Sequence, residues 1–310
     1  MQVYKDLAQI PGFKHAVLTI GTFDGVHIGH QQIINQLKQE AALVGGETVI
    51  VSFHPHPRKI VSSVPGDVKL LTTLEERIKL LEHAGIDHFV VIPFNHQFAN
   101  QTAEQYLEDF LYNSFKPHTV IIGYDHRFGK GRTGDYHLLE NFAAAKGFKV
   151  KEIEQYSSKE IIVSSTIIRQ HILAHDIKLV NEYLGRPYSF EGIVVEGNKR
   201  GRTIGFPTAN IHVGSEEKLI PGDGVYAVKA KLPGIDDTIY NGMMNIGLRP
   251  TVDGKQRVIE VNIFDFEADI YGQCLQVFLY HYLRGEQKFN GLDELKTQLA
   301  ADRLNAKFWL

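Results

Sequence analysis

The sequence predicts two domains in tandem: a doubly wound α/β domain around a parallel sheet, then a small antiparallel β-barrel with a C-terminal helix. Three observations predict this. The chain has 310 residues, more than one hydrophobic core usually serves. Its first half alternates short apolar runs with segments of helical period, the grammar of strand-helix units. After Gly185-Arg186-Pro187, a helix stop, the chain reads as strand-like runs separated by turn-rich pieces, with no helix-length period until 292–308. The boundary expected from this change gives domains 1–184 and 185–310.

Composition narrows the class. Hydrophobic residues make up 43% and charged residues 22%, the balance of an ordinary globular protein. A net charge of -3 offers no basic footprint for nucleic acid. One cysteine, Cys274, excludes an intramolecular disulfide and a cysteine-built zinc site. The first residues lack a basic-then-apolar signal, and no run reaches the ~20 apolar residues of a membrane span. The expectation is a cytoplasmic protein with neither a membrane nor a nucleic-acid partner. Nothing in the sequence sets its oligomeric state.

The first strand, Ala16-Val17-Leu18-Thr19-Ile20, is short, apolar and β-branched. Ile33, Ile34, Leu37 and Ala41 then fall near one face of a helix. Between them lies Gly21-Thr22-Phe23-Asp24-Gly25-Val26-His27-Ile28-Gly29-His30, a strand-to-helix turn with three glycines. Such a turn lets backbone approach a ligand closely, and the free N–H groups of the helix start suit a phosphate. His27 and His30 can bracket that phosphate with further hydrogen bonds. Next come a strand at 48–53, the capping box Thr73-Leu74-Glu75-Glu76 opening a helix, and a strand at 88–92. A second capping box, Thr102-Ala103-Glu104-Gln105, precedes another helix. A strand at 120–122, a helix at 138–145 and a strand at 149–153 complete the α/β half.

Three loops stand where such a sheet binds ligands, at strand carboxyl ends. Phe53-His54-Pro55-His56-Pro57 reads either as a pocket wall or as a rigid turn with surface histidines. Gly123-Tyr124-Asp125-His126-Arg127-Phe128-Gly129-Lys130-Gly131-Arg132 mixes glycines, aromatics and cations, a composition suited to an anionic, planar ligand. Ser164-Ser165-Thr166-Ile167-Ile168-Arg169 opens a helix with hydroxyls and a cation one turn in, a second phosphate grip facing the first.

In the second half, strand-like runs fall at 193–195, 225–228, 238–240, 258–263 and 274–282. The loop from Gly197 to Asn210 is basic and glycine-rich, and includes Gly201 and Arg202. It ends in Thr208 and Asn210, two apart and therefore on one side of a strand. A hydroxyl and an amide carbonyl are hard ligands suited to Mg²⁺ beside nucleotide phosphates; the alternative is a barrel turn with solvated arginines. Glu260, in Arg257-Val258-Ile259-Glu260-Val261-Asn262-Ile263, is either a solvent-face residue or a used carboxylate.

The spacing His27-Ile28-Gly29-His30 after a strand resembles the His-x-Gly-His signature of the nucleotidyltransferase superfamily. The further motifs, with Gly205-Phe206-Pro207-Thr208-Ala209-Asn210, Asn245-Ile246-Gly247-Leu248-Arg249-Pro250-Thr251 and Glu260-Val261-Asn262-Ile263-Phe264-Asp265-Phe266, are similar in order to the bacterial bifunctional riboflavin kinase/FAD synthetases. The resemblance implies phosphorylation of riboflavin to FMN in the barrel and adenylylation of FMN to FAD, with release of pyrophosphate, in the α/β domain. Its substrates would be ATP, riboflavin and FMN, with Mg²⁺ in both reactions. It places adenylyltransferase ATP contacts at Gly21, Phe23, Asp24, Gly29, His30, Ser164, Thr166 and Arg169, with His27 and His30 catalytic. The flavin nucleotide falls to His56, Asp125 and Arg127. In the kinase it places ATP and metal at Gly201, Arg202, Thr208 and Asn210, flavin at Arg249 and Thr251, and the base at Glu260. The chain departs from the family at His54, usually acidic, at Ile167, commonly basic, and at Asn262, often His. Rival readings are a nucleotidyltransferase for another substrate with a regulatory barrel, and a flavin binder without turnover.

Overall fold

The computed structural model describes residues 1–61, 68–123, 126–153, 157–158, 161–197, 200–235, 237–251 and 254–310. The chain packs as two compact units, Met1–Ser165 and Thr166–Leu310.

In the first unit, β1 (Gln2–Tyr4), β2 (Val17–Ile20), β3 (Thr48–His54), β4 (His88–Pro93), β5 (Thr119–Gly123) and β6 (Lys149–Ile153) form one sheet. All neighbours are parallel, in the order β1-β4-β3-β2-β5-β6. The strands are apolar on both faces because helices cover both. Val17, Ile50, Phe89 and Ile121 meet Ile34, Leu37 and Ala41 of helix Ile28–Val44, and Leu81 of helix Leu74–His83. On the opposite face, Leu18, Ile20, Val49, Val90 and Val120 meet Leu107, Phe110 and Leu111, with Leu139 and Ala143 of helix Tyr136–Lys146. The expected doubly wound architecture is present, with both capping boxes formed at Thr73 and Thr102. The edge strand β1 is additional to the five strands read from sequence.

A two-stranded ribbon, β7 (Ser157–Ser158) with β8 (Ile161–Ile162), ends the first unit. The second holds β9 (Tyr188–Val195), β10 (Ala209–His212), β11 (Gly224–Lys231), β12 (Ile239–Thr251), β13 (Gly254–Ile263) and β14 (Cys274–Arg284). They close into an antiparallel barrel in the order β10-β13-β12-β11-β14-β9. Alternation sets its inside: Tyr188, Phe190 and Val194 of β9, Met244 and Ile246 of β12, and Ile259 and Val261 of β13 are buried. Helix Leu292–Trp309 lies on the outer face over Ala227, Met243 and Phe264 through Ala306. A buried, bidentate pair fastens it: Arg284 Nε and Nη2 donate to Asp302 at 2.9 and 2.6 Å.

Helix Ile177–Leu184 buries Val180, Tyr183 and Leu184. It also bonds to the barrel: Asn181 Nδ2 donates to the Leu279 carbonyl at 2.9 Å and Asn181 Oδ1 accepts from the Tyr188 N–H at 2.8 Å. A fragment 166–310 is therefore expected to melt cooperatively by circular dichroism, and a fragment 187–310 at a temperature several degrees lower. Each large apolar side chain lost from such a contact is worth about 1.5–3 kcal/mol. Equal melting temperatures would show that the helix contributes nothing to the barrel.

Candidate active sites

Strand β2 pairs with β3 on one side and β5 on the other, so the chain reverses direction across the sheet at β2. In open α/β sheets the ligand crevice lies outside the carboxyl end of that strand. Gly21 stands there. The following residues leave the sheet sharply: Phe23, Gly25 and Val26 have φ of 50, 85 and 41°. Glycine takes this left-handed conformation freely, whereas Phe and β-branched Val resist it.

The turn delivers His27 as the N-cap of helix Ile28–Val44, its Nδ1 accepting from the His30 N–H at 3.4 Å. An accepting Nδ1 leaves the proton of the neutral ring on Nε2, which is thus a donor. The His27 and His30 rings stack at 3.7 Å between centroids, and the Phe23 ring lies 4.7 Å from that of His30. Gly29 belongs to the first helical turn, whose main-chain N–H groups are the natural anion donors.

Beneath the turn, Asp24 is fully buried. Its carboxylate accepts from the main-chain N–H groups of Leu71 and Thr72 at 3.1 and 3.0 Å and from the Thr72 hydroxyl at 3.2 Å. The same hydroxyl accepts from the Gly25 N–H at 3.0 Å. Ser52 Oγ donates to the Thr22 carbonyl at 3.2 Å and receives Arg77 Nη1 at 3.2 Å. Ser165 Oγ donates to the Asp24 carbonyl at 2.9 Å. The side chain of Asp24 thus lies inside the protein on main-chain donors. Thr72, which sequence reading did not single out, joins it there. Ser164 precedes helix Ser165–Leu173, on which Thr166 and Arg169 fall in the first turns.

The other two loops are built around packing. His56 is buried and its Nδ1 accepts from the Arg58 N–H at 3.2 Å. Arg127 pairs with Asp135 at 3.1 Å. Asp135 caps helix Tyr136–Lys146 by accepting from the Leu138 N–H, which with Arg127 holds its carboxyl below the usual range. Asp125 lies outside the described residues. Phe128 and Gly134 exchange main-chain hydrogen bonds at 3.1 and 2.9 Å. Any Cβ on Gly134 would sit 2.3 Å from the Phe128 ring. Phe128 stacks on Tyr106 at 5.0 Å, and half-buried Phe53, Phe94 and Phe98 continue an aromatic cluster at the carboxyl ends of β3 and β4. This planar, apolar surface is a second feature missed from sequence; the signal was five aromatics spread between residues 53 and 128.

The second unit carries a different constellation. Asn210 of β10 lies opposite Glu260 of β13, which lies opposite Asn245 of β12. Directly opposed residues share a face, and their neighbours Ile246, Ile259 and Val261 point inward, so this row lies on the outside of the barrel. The Glu260 side chain is only 16% exposed. Thr208 Oγ1 donates to its Oε1 at 3.4 Å, and Arg249 Nη2 lies 2.5 Å from its Oε2. Thr251 ends β12; its side chain lies outside the described residues.

Close backbone approach shapes the loop before β10. A Cβ on Gly197 would meet Asn210 Nδ2 at 2.1 Å, and one on Gly201 would meet the Phe206 carbonyl oxygen at 2.2 Å. Asn262, buried, donates from Nδ2 to the Pro207 carbonyl at 2.6 Å and so anchors the segment that carries Thr208. Arg202, Pro207 and Thr208 border an open concavity of about 80 Å³, walled by Val194, Ala209 and Val261 with the 266–271 loop. Among the described residues no three His, Cys, Asp or Glu side chains form a metal cage. The hydroxyl, amide and carboxylate of Thr208, Asn210 and Glu260 are hard oxygen donors, too few to bind Mg²⁺ alone. They fit an ion shared with substrate phosphates.

A family described as FAD synthetase matches residues 10–167, and one described as riboflavin kinase matches residues 184–310. A bifunctional riboflavin kinase/FMN adenylyltransferase of Escherichia coli is 36% identical over 302 residues, covering 97% of this chain and 95% of that protein. Proteins of the same description from Haemophilus influenzae and Bacillus subtilis are 38% and 37% identical, each across 94% of this chain. A solved structure described as a macrolide-efflux protein of Streptococcus pneumoniae superimposes with a TM-score of 0.91 at 30% identity, covering 100% of this chain and 99% of that one. Among the described residues of the present chain, no helix is long and apolar enough to cross a membrane.

Proposed function

The chain belongs to the family of bifunctional riboflavin kinases/FMN adenylyltransferases, and from that premise we propose how its residues divide the two reactions. The enzyme phosphorylates riboflavin with ATP and adenylylates the resulting FMN to FAD, acting on small-molecule substrates. The observation that carries the residue assignment is chemical contrast. One site offers a strand carboxylate, Glu260, held between Arg249 and Thr208; the other offers the start of the long helix Ile28–Val44 with two stacked histidines.

Phosphorylation begins from a neutral alcohol, a poor nucleophile that must lose its proton. Glu260 is the group to take it. Arg249 holds Oε2 and fixes the carboxylate's orientation, leaving Oε1, shared with the Thr208 hydroxyl, for the terminal ribityl hydroxyl. That oxygen attacks the γ-phosphorus of ATP, its proton passes to Glu260, and ADP leaves. Thr208 and Asn210 would hold Mg²⁺ against the phosphates, where it neutralises charge on the transferring group. The concavity beside Thr208 takes the nucleoside, with Arg202 at its rim and Gly201 permitting the tight loop. Arg249 and Thr251 are proposed for the flavin, following the family resemblance.

Adenylylation begins from FMN, whose phosphate is already anionic, so no base is required. A phosphate oxygen of FMN attacks the α-phosphorus of ATP, and pyrophosphate departs. The demand is for donors aimed at the charge that builds on the α-phosphate oxygens. His27 through Nε2, His30, and the N–H groups around Gly29 supply them, above the close-packed turn at Gly21 and Phe23. Ser164, Thr166 and Arg169 are proposed for the remaining ATP contacts, following the family resemblance. The aromatic surface of Phe53, Phe98 and Phe128, with His56, Asp125 and Arg127, is proposed for the flavin nucleotide. A reducing, cytoplasmic setting suits the lone thiol, Cys274.

Two substitutions test the division. Glu260→Gln keeps the shape of the side chain but cannot take a proton. Riboflavin affinity should stay within a few-fold, kcat for FMN formation should fall by ~10²–10⁴, and FAD synthesis from added FMN should be intact. Near-normal FMN formation would return Glu260 to a surface role. His30→Ala removes a charge-stabilising donor. FAD formation from FMN should fall ~10²–10³-fold, or roughly 2.7–4 kcal/mol, with riboflavin phosphorylation unchanged. Unaltered FAD synthesis would leave His30 as helix packing only.

A further inference from the structure

Between residues 23 and 26 the chain holds three left-handed backbone conformations, two of them on residues with side chains. Such a backbone persists only where the surroundings over-determine it. Burial of Phe23 and Val26 supplies part of that restraint. The rest is polar: Leu71, Ser52 and Ser165 each bond one residue of the turn, and the Thr72 hydroxyl bonds two adjacent ones. Thr72 donates to Asp24 through both its main-chain N–H and its side chain, and accepts from Gly25. The two residues it grips are the ones flanked by the strained Phe23 and Val26. Thr72 is itself immobilised: Leu70 and Leu71 before it are buried, and Thr73 after it caps helix Leu74–His83 in a closed capping box.

We propose that Thr72 is a positioning residue for adenylyl transfer. Its hydroxyl clamps the Asp24–Gly25 step and thereby sets where His27, His30 and the first N–H groups of helix Ile28–Val44 stand. This rests on the reading of the 21–30 turn as the site of the transferred phosphate. The clamp lies in the interior and touches no substrate. Its effect is geometric: two residues beyond Gly25 the chain reaches His27, so a slackened turn displaces the donor array as a whole. Misplacing catalytic donors by about 1 Å can cost ~10²-fold in rate. Ground-state binding of ATP, spread over many contacts, responds less.

The test uses the full chain with Thr72→Val, which keeps the branched shape and removes the hydroxyl, Thr72→Ser, which restores it, and His30→Ala as a reference. The kinase reaction in the second unit reports the amount of intact protein. For Thr72→Val, kcat of FAD formation from FMN is expected to fall about 10–100-fold with KM for ATP changed by less than about threefold. Thr72→Ser is expected within about threefold of the parent, and FMN formation is expected to be unchanged. A wild-type kcat in Thr72→Val, with His30→Ala impaired, overturns the clamp alone. Wild-type activity in His30→Ala overturns the site reading beneath it. Should Thr72→Val fail to fold its first unit by thermal melting, the smaller Thr72→Ala is read the same way. Failure of both to fold shows that the hydroxyl serves stability, which also overturns the proposal.

Discussion

Everything in the first unit depends on how the chain leaves β2. At this strand the sheet order reverses, with β3 on one side and β5 on the other, and the carboxyl end of such a strand is where open α/β sheets bind ligands. To start a helix at Ile28 the backbone must turn within seven residues, and it does so through conformations that Phe23 and Val26 would otherwise avoid. The strain is held by the buried polar net around Asp24 and by the stack of Phe23, His30 and His27. The outcome is a fixed array of donors, the arrangement proposed to serve transfer to an anionic nucleophile.

The barrel meets a different demand with different means. A strand carboxylate is costly in a half-buried position unless it is paired. Arg249 meets that cost for Glu260 and at the same time orients it. Cross-strand register does the rest, bringing Asn210, Glu260 and Asn245 into one row on the outer face, beside the loop that Asn262 anchors. Asn262 therefore works here through the Pro207 carbonyl and the segment leading to Thr208.

Local signals made much of this legible. The apolar run at β2, the glycines, and the histidine spacing mark the strand, turn and helix start, and both capping boxes formed where Thr73 and Thr102 stand. What escaped the sequence was non-local or weakly patterned. β1 is three residues of an edge strand, too short to show a period. β12 runs through Asn241, Gly242, Asn245 and Gly247, residues of poor strand propensity. It is held by pairing on both sides, and Gly242 lets the Asn262 carbonyl approach where a Cβ would sit 2.7 Å away. The bonds from Asp24 to Thr72 span 48 residues, and nothing local in either segment announces them. The Arg249–Glu260 pair likewise follows from barrel closure, and no spacing rule predicts it.

Two constellations, one built on a strand carboxylate and one on a donor array, are proposed to perform the two reactions in series. Mixing the Glu260→Gln and His30→Ala chains tests this most directly, with riboflavin and ATP as the only substrates. Each variant alone is expected to form little or no FAD, the first for want of FMN and the second for want of adenylyl transfer. Together they are expected to form FAD after a lag, as FMN made by the His30→Ala chain accumulates and reaches the other. If the mixture forms no FAD while FMN builds up in solution, the Glu260→Gln chain has lost adenylyl transfer as well. The two sites would then not be separable in the way proposed here.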